Sequence, residues 1–277
     1  MGISRFIKLF NVKAGKILSK PSLIYLKARE HSLRLTDGRS WVHFLHIGKT
    51  GGTALKSAIR SGGESSEDIA LGDENICTPT HRIILHNHNA SLKDVPKGDK
   101  FFFFVRDPIE RFVSGFYSRK RKGRPRYFST WSDDEKKAFE RFETPNELAL
   151  SLSSGDLEEE KIAAHAMKSI EHVGDMYSEW YESKEYFLSR LSDAIMVGRT
   201  ENLDRHFPEI KKVLSLSDNA TLPTSEEKAH KNPYSELNTY LEKEARINLK
   251  KWYREDFEFL SMCKKNHKKI GYPHRSM

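Results

Sequence analysis

The sequence predicts an α/β protein with a mostly parallel central sheet flanked by helices. Three observations predict it. Short apolar, β-prone runs recur at residues 41–47, 82–86, 100–105 and 193–198. Stretches with helical spacing alternate with them, the pattern of strands joined by crossover helices. The third run carries four consecutive phenylalanines, Phe101 to Phe104, and such a run is apolar on both faces, as the centre of a covered parallel sheet requires.

Taken in order, residues 1–38 are read as a helical lead-in ending at Asp37-Gly38, and residues 39–277 as a single domain. The N-terminal MGISRFIKLF segment scatters Lys and Arg among apolar residues. It lacks the unbroken apolar core of a signal peptide and fails the myristoylation pattern at Phe6. It is compatible with a weak contact to a membrane surface, although packing on the domain is the preferred expectation. The first strand leads into a glycine loop and a helix from Ala54. Residues 61–75, rich in Gly, Ser and acid, read as a surface loop, and residues 91–99 as another. Asp107 suits an N-cap, Pro108 the first helical position and Glu110 the third, so a capping box is expected there. Residues 133–174 read as helices interrupted at 144–145 and 153–155, and residues 176–191 as one aromatic-rich helix. Leu203, Phe207, Ile210 and Leu214 mark a helix after the fourth strand. Leu237, Leu241, Ala245, Leu249 and Trp252 mark one face of a long C-terminal helix.

The net charge of +8 favours an anionic ligand, polyanion or membrane surface over a cationic partner. The two cysteines, Cys77 and Cys263, lack metal-site or disulfide-framework spacing, which points to a reducing compartment. No apolar run approaches the roughly 18 residues of a membrane-spanning helix. A cytoplasmic protein without a transmembrane segment is the expectation.

The chemistry concentrates at the C-terminal ends of the predicted strands, where α/β sheets bind ligands. After the first strand comes Gly48-Lys49-Thr50-Gly51-Gly52-Thr53. A strand, a glycine loop and a helix present backbone N–H groups and a positive helix end to an anion. Lys49 adds a charge, Thr50 and Thr53 add hydroxyls, and Gly51 and Gly52 admit close approach. The lysine precedes the glycine pair, so this is not a Walker A loop. After the third strand comes Arg106, followed by Arg111, Ser114 and Ser118 on one helix face. An arginine fork with a hydroxyl suits a phosphate. Arg111 has a second reading, as a surface ion pair with Asp107 or Glu110. After the second strand come His86 and His88.

The loop HIGKTGGT and the stretch VRDPIERFVSGFY together resemble the two nucleotide-binding motifs of sulfotransferases that use 3′-phosphoadenosine 5′-phosphosulfate (PAPS). The family usually has Pro where this chain has Gly48. Looser likeness runs over roughly residues 41–262, through VGRTENLDRHFPEI and the segment KNPYSEL to WYREDFEFL. The resemblance implies the fold of P-loop-containing nucleotide hydrolases in its sulfotransferase form, related to the Golgi glycan O-sulfotransferases in a bacterial-type version. It implies that Lys49, Thr50, Gly51, Gly52 and Thr53 hold the 5′-phosphosulfate and that Arg106 and Ser114 hold the 3′-phosphate. It further implies transfer to an acceptor hydroxyl, with Lys49 stabilising the leaving oxygen and no metal. Lys231 is loosely matched to a residue covering the nucleotide.

A hydroxyl acceptor needs a base. The glycan 2-O-sulfotransferases carry a His-x-His that His86-Asn87-His88 resembles. Alternation along a strand would point both imidazoles to one side, and His88, further past the strand end, is preferred over His86. His43 and His46, inside the first strand, are read as structural. The run from Arg119 to Arg126, with six basic residues in eight, reads equally as a groove beside the cofactor for an anionic glycan and as a solvated loop. The expected acceptor is thus a carbohydrate hydroxyl. Rival readings are a P-loop kinase, which would need an acidic magnesium residue at a strand end, and a non-enzymatic basic protein binding polyanions. Nucleic acid is not an expected partner, since no recognised module is present.

Overall fold

The computed structural model describes residues 20–66, 74–125, 127–223 and 239–266. Strands β1 (Ser40–Leu45), β2 (Glu64–Ser66), β3 (Glu74–Cys77), β4 (His81–Leu85), β5 (Lys100–Val105) and β6 (Ala194–Arg199) form one sheet in the order β2-β3-β4-β1-β5-β6. β4, β1, β5 and β6 run parallel, while β2 and β3 extend the sheet antiparallel. The sheet is therefore mostly parallel, as expected. The carboxyl ends of its four parallel strands open on one edge.

The phenylalanine strand shows why a continuous apolar run is needed. Phe102 and Phe104 enter one cluster with Val42, Phe44, Ile83 and Leu85. That face is covered by α2 (Gly52–Gly62) and α9 (Leu203–Val213), through Leu55, Ile59, Phe207 and Ile210. Phe101 and Phe103 enter the opposite cluster with Leu45, Val105 and Val197. There the cover comes from α7 (Ser178–Tyr181), α8 (Lys184–Ser189) and α11 (Arg254–Lys265), with Phe259 stacked on Tyr181 at 4.1 Å. Helix α1 (Lys20–Thr36) lays Leu33 on Trp41 and Ile84, and its Arg34 pairs with Asp99 at 2.9 Å.

A separate helical layer is built from α3 (Pro108–Lys120), α4 (Asp133–Arg141), α5 (Pro145–Ser151), α6 (Leu157–Ser169) and α10 (Lys243–Trp252). Its starts are capped by Ser132, Thr144 and Asp156, with boxes closed by Glu135 and Glu147 in α4 and α5. Asp107 caps α3 by accepting from the Ile109 and Glu110 N–H groups. The expected box there is not closed by Glu110; the Asp107 N–H is taken by Glu201 at 2.8 Å, a tertiary partner.

Other expectations are corrected. Residues 61–75 are not simply a loop, because 64–66 and 74–77 pair as edge strands. Their polar composition conceals them, since an edge strand has little surface to bury. The expected helix over 176–191 is two short ones, broken where Glu182 adopts φ 74. The long C-terminal helix is likewise α10 and α11, divided at Tyr253; Leu241 precedes α10, and Leu237 lies outside the described residues. The lead-in segment 1–19, Arg126 and Lys231 also lie outside them. Among the described residues no helix is long and apolar enough to cross a membrane.

The basic run changes character. Arg119 is buried, and its Nε and Nη2 donate to the two Glu135 oxygens at 2.6 Å. Lys120 pairs with Glu143 at 2.5 Å, and Lys122 sits 4.2 Å over the Trp131 ring. The run follows the far end of α3, and thirteen helical residues at 1.5 Å each put roughly 20 Å between it and the helix start. Arg119 and Lys120, in the last turn of α3, do not border the Arg106 end of that helix.

Glu135 also accepts from the Ser132 and Glu171 N–H groups. Burial alone would raise its pKa, but the Arg119 hydrogen bonds and these N–H groups hold it below the usual carboxylate value. A depressed folded-state pKa contributes stability above the unfolded value that is lost as pH falls through the folded one. Glu135→Ala is expected to cost about 3 kcal/mol in urea denaturation at pH 7, because it strands a buried guanidinium. Its deficit relative to wild type should shrink as pH falls below about 4.5. A deficit unchanged between pH 7 and pH 3 would contradict this account.

Candidate functional site

The phosphate-type loop follows β1. Gly51 adopts φ 80, a left-handed conformation that glycine takes without strain, and it is the N-cap of α2. No side chain caps that helix start. The first N–H groups of α2 therefore keep the unsatisfied donors and partial positive charge of an open helix end. Lys49 is half-buried with φ 66. The Thr50 hydroxyl, expected as a ligand donor, is buried and donates instead to the Ile47 carbonyl at 2.9 Å, bracing the loop. A Cβ on Gly52 would lie 2.0 Å from His46 Cδ2, so this position must lack one for the His46 ring to rest on the loop.

The departure at Gly48 has a local explanation. A Cβ there would lie 2.8 Å from Nδ1 of His172, a buried residue with φ 69. His172 occupies the space that a side chain at position 48 would need.

Arg106 follows β5 directly, and its backbone N–H and C=O both bond the Tyr177 hydroxyl, at 2.8 and 2.7 Å. Its guanidinium makes no ion pair among the described residues, and the Ser114 hydroxyl, half-buried in the second turn of α3, makes no hydrogen bond among them. The two motifs share a neighbour. A Cβ on Gly51 would meet Thr200 Cγ2 at 3.6 Å, and the Thr200 hydroxyl donates to the carbonyl of Val105, the residue before Arg106, at 3.2 Å.

Arg111 is not a surface ion pair. It is buried, and its Nε donates to the Gly48 carbonyl at 3.0 Å while Nη1 donates to the Asp175 carbonyl at 2.8 Å. Its guanidinium carbon lies 5.0 Å from the Tyr177 ring centroid and 5.4 Å from that of Trp180. Asp256 lies 3.8 Å away, and its pKa is pushed up to about 6, chiefly by burial.

Strand alternation does not govern the relation of His86 to His88. β4 ends at Leu85, and Asn87 turns the chain by accepting the Asn89 N–H at 2.9 Å, so strand alternation stops before His88. His86 is buried, with Nε2 2.8 Å from Nδ1 of His43, whose Nε2 lies 3.0 Å from Asp99 Oδ2. His88 is exposed, and its Nδ1 lies 3.1 Å from the His46 carbonyl; the rings of His46 and His88 are 3.9 Å apart. The Trp180 indole donates to the His88 carbonyl at 3.1 Å. Although the residue keeps surface exposure, desolvation by the side chains crowded around its ring, then the charges of His172 and Lys56, lower the pKa of His88. Burial, then His43 and Lys56, lowers that of His86 to about 3.

The family model described as the Sulfotransferase family matches residues 34–261. The chain belongs to the sulfotransferase family. Its chemistry is sulfuryl transfer, and the central sheet flanked by helices is consistent with the family fold. No curated protein matches the sulfotransferase.

Sequence reasoning passed over several residues that the fold gathers here. Lys56 is buried in the second turn of α2, and its charge reaches both His86 and His88. His172 and Asp175 come from the helical layer, their Nδ1 and Oδ2 3.5 Å apart. Only the spacing of Lys56 from Lys49, two helical turns on, could have signalled the first; nothing local marks the others. In the sulfotransferase, Arg111→Lys is expected to lower stability by about 3 kcal/mol, because a single ammonium cannot replace a fork bonding two separate carbonyls. Urea denaturation with an unchanged m-value checks this; a loss below about 0.5 kcal/mol would contradict the bracing role.

Proposed function

We propose that this sulfotransferase moves the sulfuryl group of PAPS to a hydroxyl of a carbohydrate. The observation that carries the reading is that Thr200 touches both the Gly51 turn at the open N-terminus of α2 and the Val105 carbonyl just before Arg106, whose guanidinium makes no ion pair among the described residues. Two anion sites at neighbouring strand ends suit a nucleotide with phosphate at both its 5′ and 3′ positions. Members of the family generally use PAPS as donor. In this reading Lys49, Gly51, Gly52, Thr53 and the Thr50 N–H hold the 5′ end, and Arg106 with Ser114 holds the 3′-phosphate. Such a transfer asks the protein mainly for alignment and for stabilisation of charge on the departing oxygen, which is the work of Lys49 and the helix N–H groups. The base comes from the His86–His88 pair.

A carbohydrate acceptor is supported by the likeness of that pair to the His-x-His of glycan 2-O-sulfotransferases. The basic loop is a weaker support, since Arg119 and Lys120 are engaged with Glu135 and Glu143. The two free cysteines, Cys77 and Cys263, support a reducing, cytoplasmic setting.

The test is transfer of labelled sulfate from PAPS across heparan, chondroitin, neutral-sugar, phenol and tyrosyl-peptide acceptors. A glycan should be labelled. Lys49→Ala should lower kcat about 10²- to 10³-fold, and Arg106→Ala should raise KM for PAPS about tenfold or more with a smaller change in kcat. Labelling of peptides or phenols alone would overturn the carbohydrate assignment. Failure to bind adenosine 3′,5′-bisphosphate would overturn the donor.

A further inference from the structure

Beneath the site runs a line of polar side chains that the reading above does not use. Arg34 of α1 grips Asp99 with both Nη atoms at 2.9 Å. Asp99 Oδ2 lies 3.0 Å from His43 Nε2, and His43 Nδ1 lies 2.8 Å from His86 Nε2. His43 and His86 are buried, their rings stacked at 5.1 Å.

Donor accounting fixes the protons on this line. The Arg34 and His43 hydrogen bonds outweigh the burial of Asp99 and hold its carboxyl below the usual carboxylate range, so it is ionised and only accepts. Desolvation keeps His43 neutral. Its Nε2 must then carry the proton given to Asp99, and its Nδ1 accepts. His86 must donate from Nε2, which leaves its Nδ1 as a bare lone pair. That nitrogen has no hydrogen-bond partner among the described residues and is not among their fully buried orphan atoms.

We propose that Asp99 and His43 are positioning residues that fix the tautomer of His86, so that His86, through Nδ1, is the base that takes the proton of the acceptor hydroxyl. This rests on the sulfuryl-transfer reading. As the acceptor oxygen bonds to sulfur, its proton passes to Nδ1. The bond from sulfur to the 5′-phosphate oxygen breaks, and its electron pair leaves on that oxygen. The imidazolium so formed stays hydrogen-bonded through His43 to the Asp99 carboxylate, as an aspartate supports a histidine base in a catalytic triad. Docking α1 would need only the Arg34–Asp99 pair. The two histidines prolong the line from that pair to the C-terminal edge of β4, where it ends on an unoccupied nitrogen, and a purely structural network has no such requirement. His88 differs, because the partner fixing its tautomer is the neutral His46 carbonyl.

The charged and titratable groups facing His86 and His43 are Arg34 and Glu30 from α1, Lys56 from α2, and Asp99. Burial first, then His43 and Lys56, keep His86 unprotonated through the neutral range against the carboxylates of Asp99 and Glu30 further along the line, so its lone pair is present before the acceptor arrives.

The tautomer is read without any acceptor, by long-range ¹H–¹⁵N correlation of the histidine rings in the full-length protein. In the wild type His86 should show a protonated Nε2 and a bare Nδ1. Asp99→Asn, whose amide can donate to His43, should reverse the line and protonate Nδ1. In turnover of the labelled glycan, His86→Ala should lower kcat about 10²- to 10⁴-fold. Asp99→Asn should lower it about 10²-fold or more while binding of adenosine 3′,5′-bisphosphate is unchanged. His88→Ala should act mainly on acceptor KM. His43→Gln, expected to lower kcat without the tautomer reversal, serves if Asp99→Asn does not fold. A proton on His86 Nδ1 in the wild type overturns the proposal. So does a His86→Ala enzyme with kcat within about threefold of wild type, an outcome that leaves sulfuryl transfer itself standing. Failure of the sulfuryl-transfer reading would appear separately, as absence of nucleotide binding.

Discussion

The guanidinium of Arg111 ties the loop after β1 and the start of α3 into one object. It sits at the end of the first turn of α3, the helix that begins just past Arg106, and reaches the carbonyl of Gly48, the residue before Lys49. Through its other arm it holds the Asp175 carbonyl, and it lies against the Tyr177 and Trp180 rings. Tyr177 in turn clamps the backbone of Arg106. The spacing between the loop after β1 and the start of α3 is thus set by one buried cation. The arrangement is not fully satisfied, since Nη2 of Arg111 and Oδ2 of Asp256 are buried without hydrogen-bond partners. Such groups are costly in a low-dielectric interior.

The same carboxyl edge carries two kinds of histidine environment. His86 is linked inward, through His43 and Asp99, to a helix packed on the sheet. His88 faces outward, held by His46 and by the indole of Trp180. Lys56 imposes positive charge on both. The result is an edge with backbone N–H groups and cations on the β1 and β5 loops and neutral, hydrogen-bond-accepting imidazoles on the β4 loop.

Much of this could be read from the chain. Four parallel strands were legible because each is a short apolar run, and Phe101 to Phe104 divide between two cores as a doubly covered strand must. Asp107 was legible as a cap because Asp-Pro before a helical pattern has one local use. The edge strands β2 and β3 were not, because Glu64-Ser65-Ser66 buries too little to leave a pattern. The helix breaks at Glu182 and Tyr253 escaped notice because aromatic side chains continue across both.

What the sequence by itself determined is the chemistry available at each strand end: the glycine loop with Lys49, the arginine at 106, the histidines at 86 and 88. These follow from local rules of strand, loop and cap. Which of these groups is spent and which is left open was decided only by the tertiary structure. Arg111 and Arg119 are both arginines of α3, yet both are consumed by buried partners remote in sequence, while the Arg106 guanidinium makes no ion pair among the described residues. Thr50 turns inward. His43, read as structural, meets His86 and Asp99. The physical reason is that hydrogen-bond satisfaction of a buried polar group is a property of whatever packs against it, and no local stretch of chain contains its own neighbours.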